Sequence, residues 1–223
     1  LSFSAIALFA VERWKKSGLL IALAGVLAFA VAGTGFAYLN VKTDARWGMI
    51  AESAGLGWKL VEQPGWLDAP MPNLSNGQPV EISAYVRTSY IHAGLKIIAA
   101  HPLGVGYGRN AFGHELKRMG TEQVGGAHVG HAHSGFIDLG ISAGIPGLLL
   151  WGLFITSLLV IGWQRYFRHG DPHGLLLLFL TTGYAGRMVL DSVNRDHMLQ
   201  MFFFLVAYLL TVLKPSSSAN SGA

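Results

Sequence analysis

The sequence predicts an all-α protein, a polytopic bundle of transmembrane helices with one large polar segment held outside the bilayer. Three observations carry that expectation. Hydrophobic residues make up 52% of the 223-residue chain and charged residues only 13%, against about 25% in soluble domains. The mean hydropathy is positive, at +0.43. Apolar runs long enough to cross a hydrocarbon core, roughly 20 helical residues, alternate with short loops rich in Arg and Lys. There is no cysteine, so neither a disulfide framework nor a thiolate metal site is available. The formal charge of +4 is spread along the chain rather than gathered in a basic run, which argues against nucleic acid as a partner. Membrane lipids with acidic headgroups, or a phosphorylated substrate, suit it better.

The chain opens Leu1-Ser2-Phe3 inside an apolar stretch, with neither Met nor the charged leader of a signal peptide. It reads as the C-terminal part of a longer protein. Residues 1–11 are too few to span and resemble the inner end of a helix. ERWKK (12–16) is a charged turn with Trp14 at the interface. Residues 19–39 are nearly continuous apolar, about 31 Å of helix at 1.5 Å per residue, and form the strongest span. Residues 1–40 are thus one partial and one complete span.

Residues 41–134 form the polar segment. QPGWLDAPMPNLSNGQP (63–79) is rich in Pro, Gly and Asn and reads as a loop. From Tyr90, the apolar residues Ile91, Leu95 and Ile98 recur at helical spacing, with Gly94 on the same face. Arg87 lies one turn earlier. The helix either rests on the membrane surface with Arg87 near its start, or packs into a core with Arg87 solvated. Residues 135–214 supply three further spans. A short helix begins near Ser134, breaks near Gly144 because Gly-Ile-Pro-Gly interrupts the apolar run, and continues as a span over 146–163. QRYFRHGDPH (164–173) is a basic loop. Spans over 175–190 and 198–213 follow, joined by DSVNRD (191–196). The tail, residues 215–223 together with Lys214, is polar and reads as disordered.

The short loops ERWKK and QRYFRHGDPH, with Lys214, fall on one side, which the positive-inside rule makes cytoplasmic. The large segment, with eight Lys and Arg, is long enough to be exempt and faces outward.

Three constellations in that segment could carry chemistry. His128, His131 and His133 are spaced H-x-x-H-x-H. They suit a metal site completed by Asp138 or His114, a solvated loop, or general acid–base work near neutral pH. Gly104, Gly106 and Gly108 in Gly-Val-Gly-Tyr-Gly either expose backbone N–H groups to phosphate or make a tight turn after His101-Pro102; the turn needs no ligand and is preferred. Arg87 and Arg109 flank this stretch. Arg187 lies within a span near its outer end, and Asp191 and Arg195 follow at four-residue spacing. They form a self-neutralising ion pair at the membrane edge or a substrate contact.

Taken together, an Arg, a helix, PLGVGYG (102–108), HAHS (131–134) and an apolar run broken by GIPG (144–147) resemble the O-antigen ligase family. That family includes O-antigen polymerases and protein O-oligosaccharyltransferases. The family usually has Asn after the second histidine, where this chain has Ser134. The resemblance implies a GT-C-like fold, an inner-membrane location with the polar segment in the periplasm, and metal-independent, inverting glycosyl transfer without a cofactor. The donor it implies is a polyprenyl-diphosphate-linked glycan; the acceptor is a lipid A core sugar, a growing glycan or a protein. It places the catalytic base at His133 with His131 in support. Arg87, with Arg187 and Arg109, would bind the diphosphate, and Asp191 would be a structural or site carboxylate. No Asp-x-Asp pair is present to hold a divalent metal. Two other classes compete: a transporter or channel, which would explain Arg187 and Asp191, and a metal-dependent membrane hydrolase, which would explain the histidines.

Overall fold

The computed structural model describes residues 27, 31–36, 38–39, 42–63, 65–66, 69–108, 110–119, 130–194 and 197–213. Every regular element among these is helical. Most of the span expected over 19–39 lies outside the described residues, as do ERWKK and the tail. Leu27, 31–36 and 38–39 are helical and exposed.

Helix α1 (Ala45–Leu60) starts where the Asp44 carboxylate accepts the Arg46 N–H at 3.0 Å, an ordinary N-cap that satisfies one orphan donor. Gly48, Gly55 and Gly57 depress helix propensity and the stretch carries little apolar periodicity, so no local pattern announces this helix. Its glycine at 57 has a packing reason: a Cβ there would strike the Tyr85 carbonyl of the next helix. Buried Ser53 accepts the Glu81 N–H at 2.8 Å and ties α1 to the start of that helix. The loop between them is latched by Glu52, whose carboxylate accepts the Ser75 N–H at 2.7 Å.

Helix α2 (Ile82–Ala100) begins eight residues before Tyr90. Its N-cap is Glu81, accepting from Ser83 N at 3.2 Å and Ala84 N at 2.6 Å. Arg87 is therefore in the second turn of α2, not ahead of it. The buried face is Tyr85, Ser89, Ala93, Gly94, Ile97 and Ile98, while Leu95 is 44% exposed. The stripe expected from Ile91 and Leu95 is displaced because small residues, which an apolar count overlooks, make the contact. Gly94 lets α2 meet Ile137, and a Cβ on Gly140 would stand 2.6 Å from Ile98 Cδ1. After α2 come the glycine turn and the short helix α3 (Ala111–Arg118).

Helix α4 (Gly135–His169) has Ser134 as its N-cap residue and kinks at Gly144 (φ 66°, ψ −166°). Start and break fall where Ser134 and Gly-Ile-Pro-Gly put them. Pro146 sits in the first turn after the kink, where its missing N–H leaves no bond broken. The kink strands backbone groups that a straight helix would pair, and the glycine turn takes them up. Val105 N donates to Ile141 O at 2.9 Å, Gly106 N donates to Ser142 O at 3.1 Å, and Ile145 N donates to Pro102 O at 2.8 Å. Gly104, at φ 84°, lies against this exchange: a Cβ there would stand 2.5 Å from Ser142 O and 2.6 Å from Gly144 N.

QRYFRHGDPH is mostly helix rather than loop. Helix α4 runs on to His169, Gly170 turns in the left-handed region at φ 66°, and Asp171 caps α5 (Pro172–Leu190) by accepting His173 N at 3.0 Å. Gly and capped Asp-Pro are helix stop and start signals in two residues, which is why so little chain is needed. Helix α6 (His197–Val212) completes the described fold. Two buried clusters result. One joins α1, α2 and α3 with Ala132 and Ile141; the other joins α5 and α6 with Leu158 of α4.

Helices α4 and α5 are long and apolar enough to cross a membrane, with mean hydropathies of 2.1 and 1.2. Only 11% of the apolar window of α4 is buried, whereas the core helix of a soluble domain would be mostly covered. Leu149, Leu150, Leu153 and Val160 of α4 and Phe204 and Tyr208 of α6 face outward, as lipid-contacting side chains do. Helix α6, at 16 residues, is apolar but shorter than a full span.

The exchange at the kink predicts a selective glycine effect. Gly104 and Gly106 both have positive φ, but a Cβ at Gly106 meets nothing within 4 Å. Gly104→Ala should lower the thermal-unfolding midpoint in detergent well beyond Gly106→Ala, which carries only backbone strain of about 1–3 kcal/mol. Equal midpoints for the two variants would contradict the close approach.

Candidate functional site

Between the glycine-turn region and α4 the chain passes through His131, Ala132, His133 and Ser134, and hydrogen bonds on either side pin it. Ala132 N donates to Asp138 Oδ1 at 2.9 Å. On the other side, Ser134 Oγ donates to Met188 O at 3.2 Å and Gly135 N donates to Asp191 O at 2.9 Å. Asn194 Nδ2 donates to Gly135 O at 3.1 Å. His133 sits between these anchors at φ 55°, the only non-glycine residue with positive φ among those described. A left-handed conformation in a bulky residue costs energy that its surroundings must offset, and such strain gathers at functional sites. Ser134, where the resembling family has Asn, fastens the loop to the end of α5.

The His133 ring lies against Tyr90 of α2, with centroids 5.9 Å apart and planes 19° from parallel, and meets His131 edge-on at 4.4 Å. Tyr90 in turn packs on Trp66 and Phe112, so the imidazole rests on an aromatic wall continuous with the buried cluster of α1, α2 and α3. Burial pushes the Tyr90 hydroxyl up from its ordinary value, and it stays protonated at neutral pH. The His133 pKa is lowered, first by burial, then by His131 and Arg87 nearby; Asp191 and Asp138 oppose the shift. The net effect holds His133 neutral near pH 7, with a free lone pair to accept a proton.

Arg87 Nη1 donates to the carbonyl of Leu190, the last residue of α5, and Nε donates to Ser83 Oγ at 3.2 Å. A cation suits that helix C-terminus. Arg187, in the last turn of α5, pairs with Asp191 at 3.3 Å with both side chains about half exposed. The helix ends at Leu190 with Asp191 as its cap, so the stacking expected from continued helix stops there. The ion pair offered by the sequence exists, and its exposed geometry carries little stability. Arg87, Arg187, Asp191, His131 and His133 thus meet at the C-terminal end of α5.

Arg109, His128 and Arg195 lie outside the described residues. His114 lines a separate open cleft with Glu115 and Arg118. Among the described residues no group of three His, Asp or Glu side chains is placed to hold a metal ion. The glycine turn spends the N–H groups of residues 104, 105 and 106 on protein carbonyls, as the tight-turn reading requires. Tyr90 and Asn194 were missed as site residues. The R-x-x-Y spacing in α2 places Tyr90 one turn from Arg87 and was a usable signal; nothing local marks Asn194.

The family model described as O-antigen ligase matches residues 1–152, which includes Arg87, the glycine turn, His131 and His133. No curated protein and no solved structure matches the chain. The matched stretch and the apolar helices agree, and the chain belongs to the O-antigen ligase family of membrane-associated, glycosyltransferase-type proteins that act on lipid-linked glycans.

Proposed function

We propose that the protein is an O-antigen ligase-type enzyme. It moves a glycan from a polyprenyl-diphosphate carrier to a hydroxyl of a lipid A core sugar, at the periplasmic face of the inner membrane. The observation that carries this reading is His133, held neutral in a strained backbone and facing the cationic end of α5. In the step it supports, an acceptor oxygen attacks the anomeric carbon from the face opposite the leaving group. The bond to the diphosphate breaks with its electron pair going to the phosphate oxygen, and the acceptor's proton passes to the His133 imidazole. Inversion follows from that single displacement, and the step assigns no role to a metal. Arg87 and Arg187 would meet the charge growing on the diphosphate, which a guanidinium binds bidentately. Asp191 holds Arg187 in the meantime. The full polytopic bundle with a GT-C-like arrangement belongs to this proposal, as do residues 41–134 as the outward segment.

Kinetics separate the roles. His133→Ala should lower kcat by about 10²–10⁴-fold, the usual worth of a general base, with donor KM little changed. Arg87→Lys keeps the charge but loses the fork, so it should raise donor KM and lower kcat together. Wild-type kinetics from both variants in the full-length protein would remove the site assignment.

The acid limb of kcat/KM is a second test. The base must be neutral, so activity rises with pH through its pKa, which is depressed below 6.5. His131→Gln removes a lowering influence and should move the limb up. Asp191→Asn removes a raising one and should move it down. Shifts of the opposite sign would assign the limb to another group.

Orientation is tested by labelling in intact cells. Cysteine at exposed Ser75 should react with an impermeant thiol reagent. Cysteine at exposed His169, at the far end of α4, should react only after the membrane is opened.

A further inference from the structure

A cavity of about 170 Å³ lies beside the His131–Ser134 loop, between the glycine turn, α3 and the first turns of α4. Tyr107, Gly130, Asp138, Ser142 and Asn194 contribute to its wall. Two of these residues carry buried oxygens with no partner, Asp138 Oδ2 and Asn194 Oδ1. The orientation of the Asn194 amide follows from its other end: Nδ2 donates to Gly135 O, and a flip would set two acceptors face to face. Asp138 is likewise fixed, because Oδ1 already accepts Ala132 N. Both orphan atoms are therefore acceptors, and a buried acceptor left unpaired costs about 1–3 kcal/mol. A space of this size has room for several small polar groups at roughly 30 Å³ per water-sized group. Tyr107 adds a ring that is 80% exposed. Among the described residues no Lys or Arg lines the cavity, and the Asp138 carboxylate in its wall disfavours an anion there.

Resting on the transferase reading above, we propose that this cavity seats the acceptor sugar. Asp138 and Asn194 accept its hydroxyl protons, and Tyr107 offers an aromatic face to its ring. A neutral polyol has the required chemistry: several O–H donors in a small volume and an apolar C–H face. The arrangement divides the site about the His133 loop. The Arg87–Arg187 side takes the anion, the Asp138–Asn194 side takes the polyol, and His133 lies between them to receive the acceptor's proton.

The test uses full-length protein in detergent and two probes, a dephosphorylated core oligosaccharide and inorganic pyrophosphate, each titrated calorimetrically. Asp138→Asn is nearly isosteric. It keeps an oxygen for Ala132 N but turns the orphan acceptor into a donor, and should weaken oligosaccharide binding about tenfold or more. Tyr107→Ala, at an exposed position that leaves the core untouched, should weaken it less but measurably. Arg87→Lys should spare oligosaccharide binding and weaken pyrophosphate binding, and Asp138→Asn should not weaken pyrophosphate binding. The proposal is overturned if wild-type protein does not bind the oligosaccharide, if Asp138→Asn and Tyr107→Ala bind it normally, or if pyrophosphate displaces it. Transfer assays distinguish the two levels. Wild-type transfer with unaltered acceptor KM in both variants removes the cavity and keeps the function. Oligosaccharide binding through the cavity with no transfer by wild-type protein removes the function and keeps the cavity.

Discussion

The exchange of backbone hydrogen bonds between the glycine turn and the kink in α4 is the constraint on which the packing of α2, α3 and the start of α4 depends. A helix interrupted at Gly144 leaves the carbonyls of Ile141 and Ser142 and the N–H of Ile145 without helical partners. Each finds one in residues 102–106. Buried backbone groups must be paired, so neither the kink nor the turn is stable in this form without the other. Two glycines make the approach possible, since a side chain at Gly144 would strike Leu103 and Pro102 and one at Gly104 would strike Ser142 and Gly144. The kink also frees the first turns of α4 from the direction of the apolar span, so they can pack on α2 and α3.

From that joint the placement of the site follows. Gly94 and Gly140 let α2 cross the first segment of α4 closely, which brings Tyr90 under His133 and Arg87 to the end of α5. His133 is then held from three sides: Asp138 through Ala132, Met188 and Asp191 through Ser134 and Gly135, and the Tyr90 ring beneath. Charge is distributed unevenly around it. The cations gather at the α5 terminus, while Asp138 and Asn194 line the cavity between the glycine turn, α3 and α4. A depressed histidine pKa has a simple origin in this setting, since burial and the neighbouring His131 and Arg87 outweigh the carboxylates of Asp191 and Asp138.

The sequence by itself determined the apolar helices and their punctuation, and it held the pattern on which the candidate site rests. Hydropathy and backbone geometry belong to contiguous residues, so Ser134 at the helix start, Gly-Ile-Pro-Gly at the kink and the His131–His133 pair were legible without a fold. Signals carried by small residues were not. The contact face of α2 rests on Ser89, Ala93 and Gly94, and Gly57 of α1 is explained only by the helix packed against it. QRYFRHGDPH looked like a loop because charge outweighed its helical length. What only the tertiary structure decided is which distant residues meet. Arg87 reaches a carbonyl 103 residues away and Asn194 grips the start of α4. Asp138 and Asn194, each with an unpartnered oxygen, line one cavity. Those pairings depend on where helices cross, which packing of glycine against neighbouring backbone sets, and no local pattern records it.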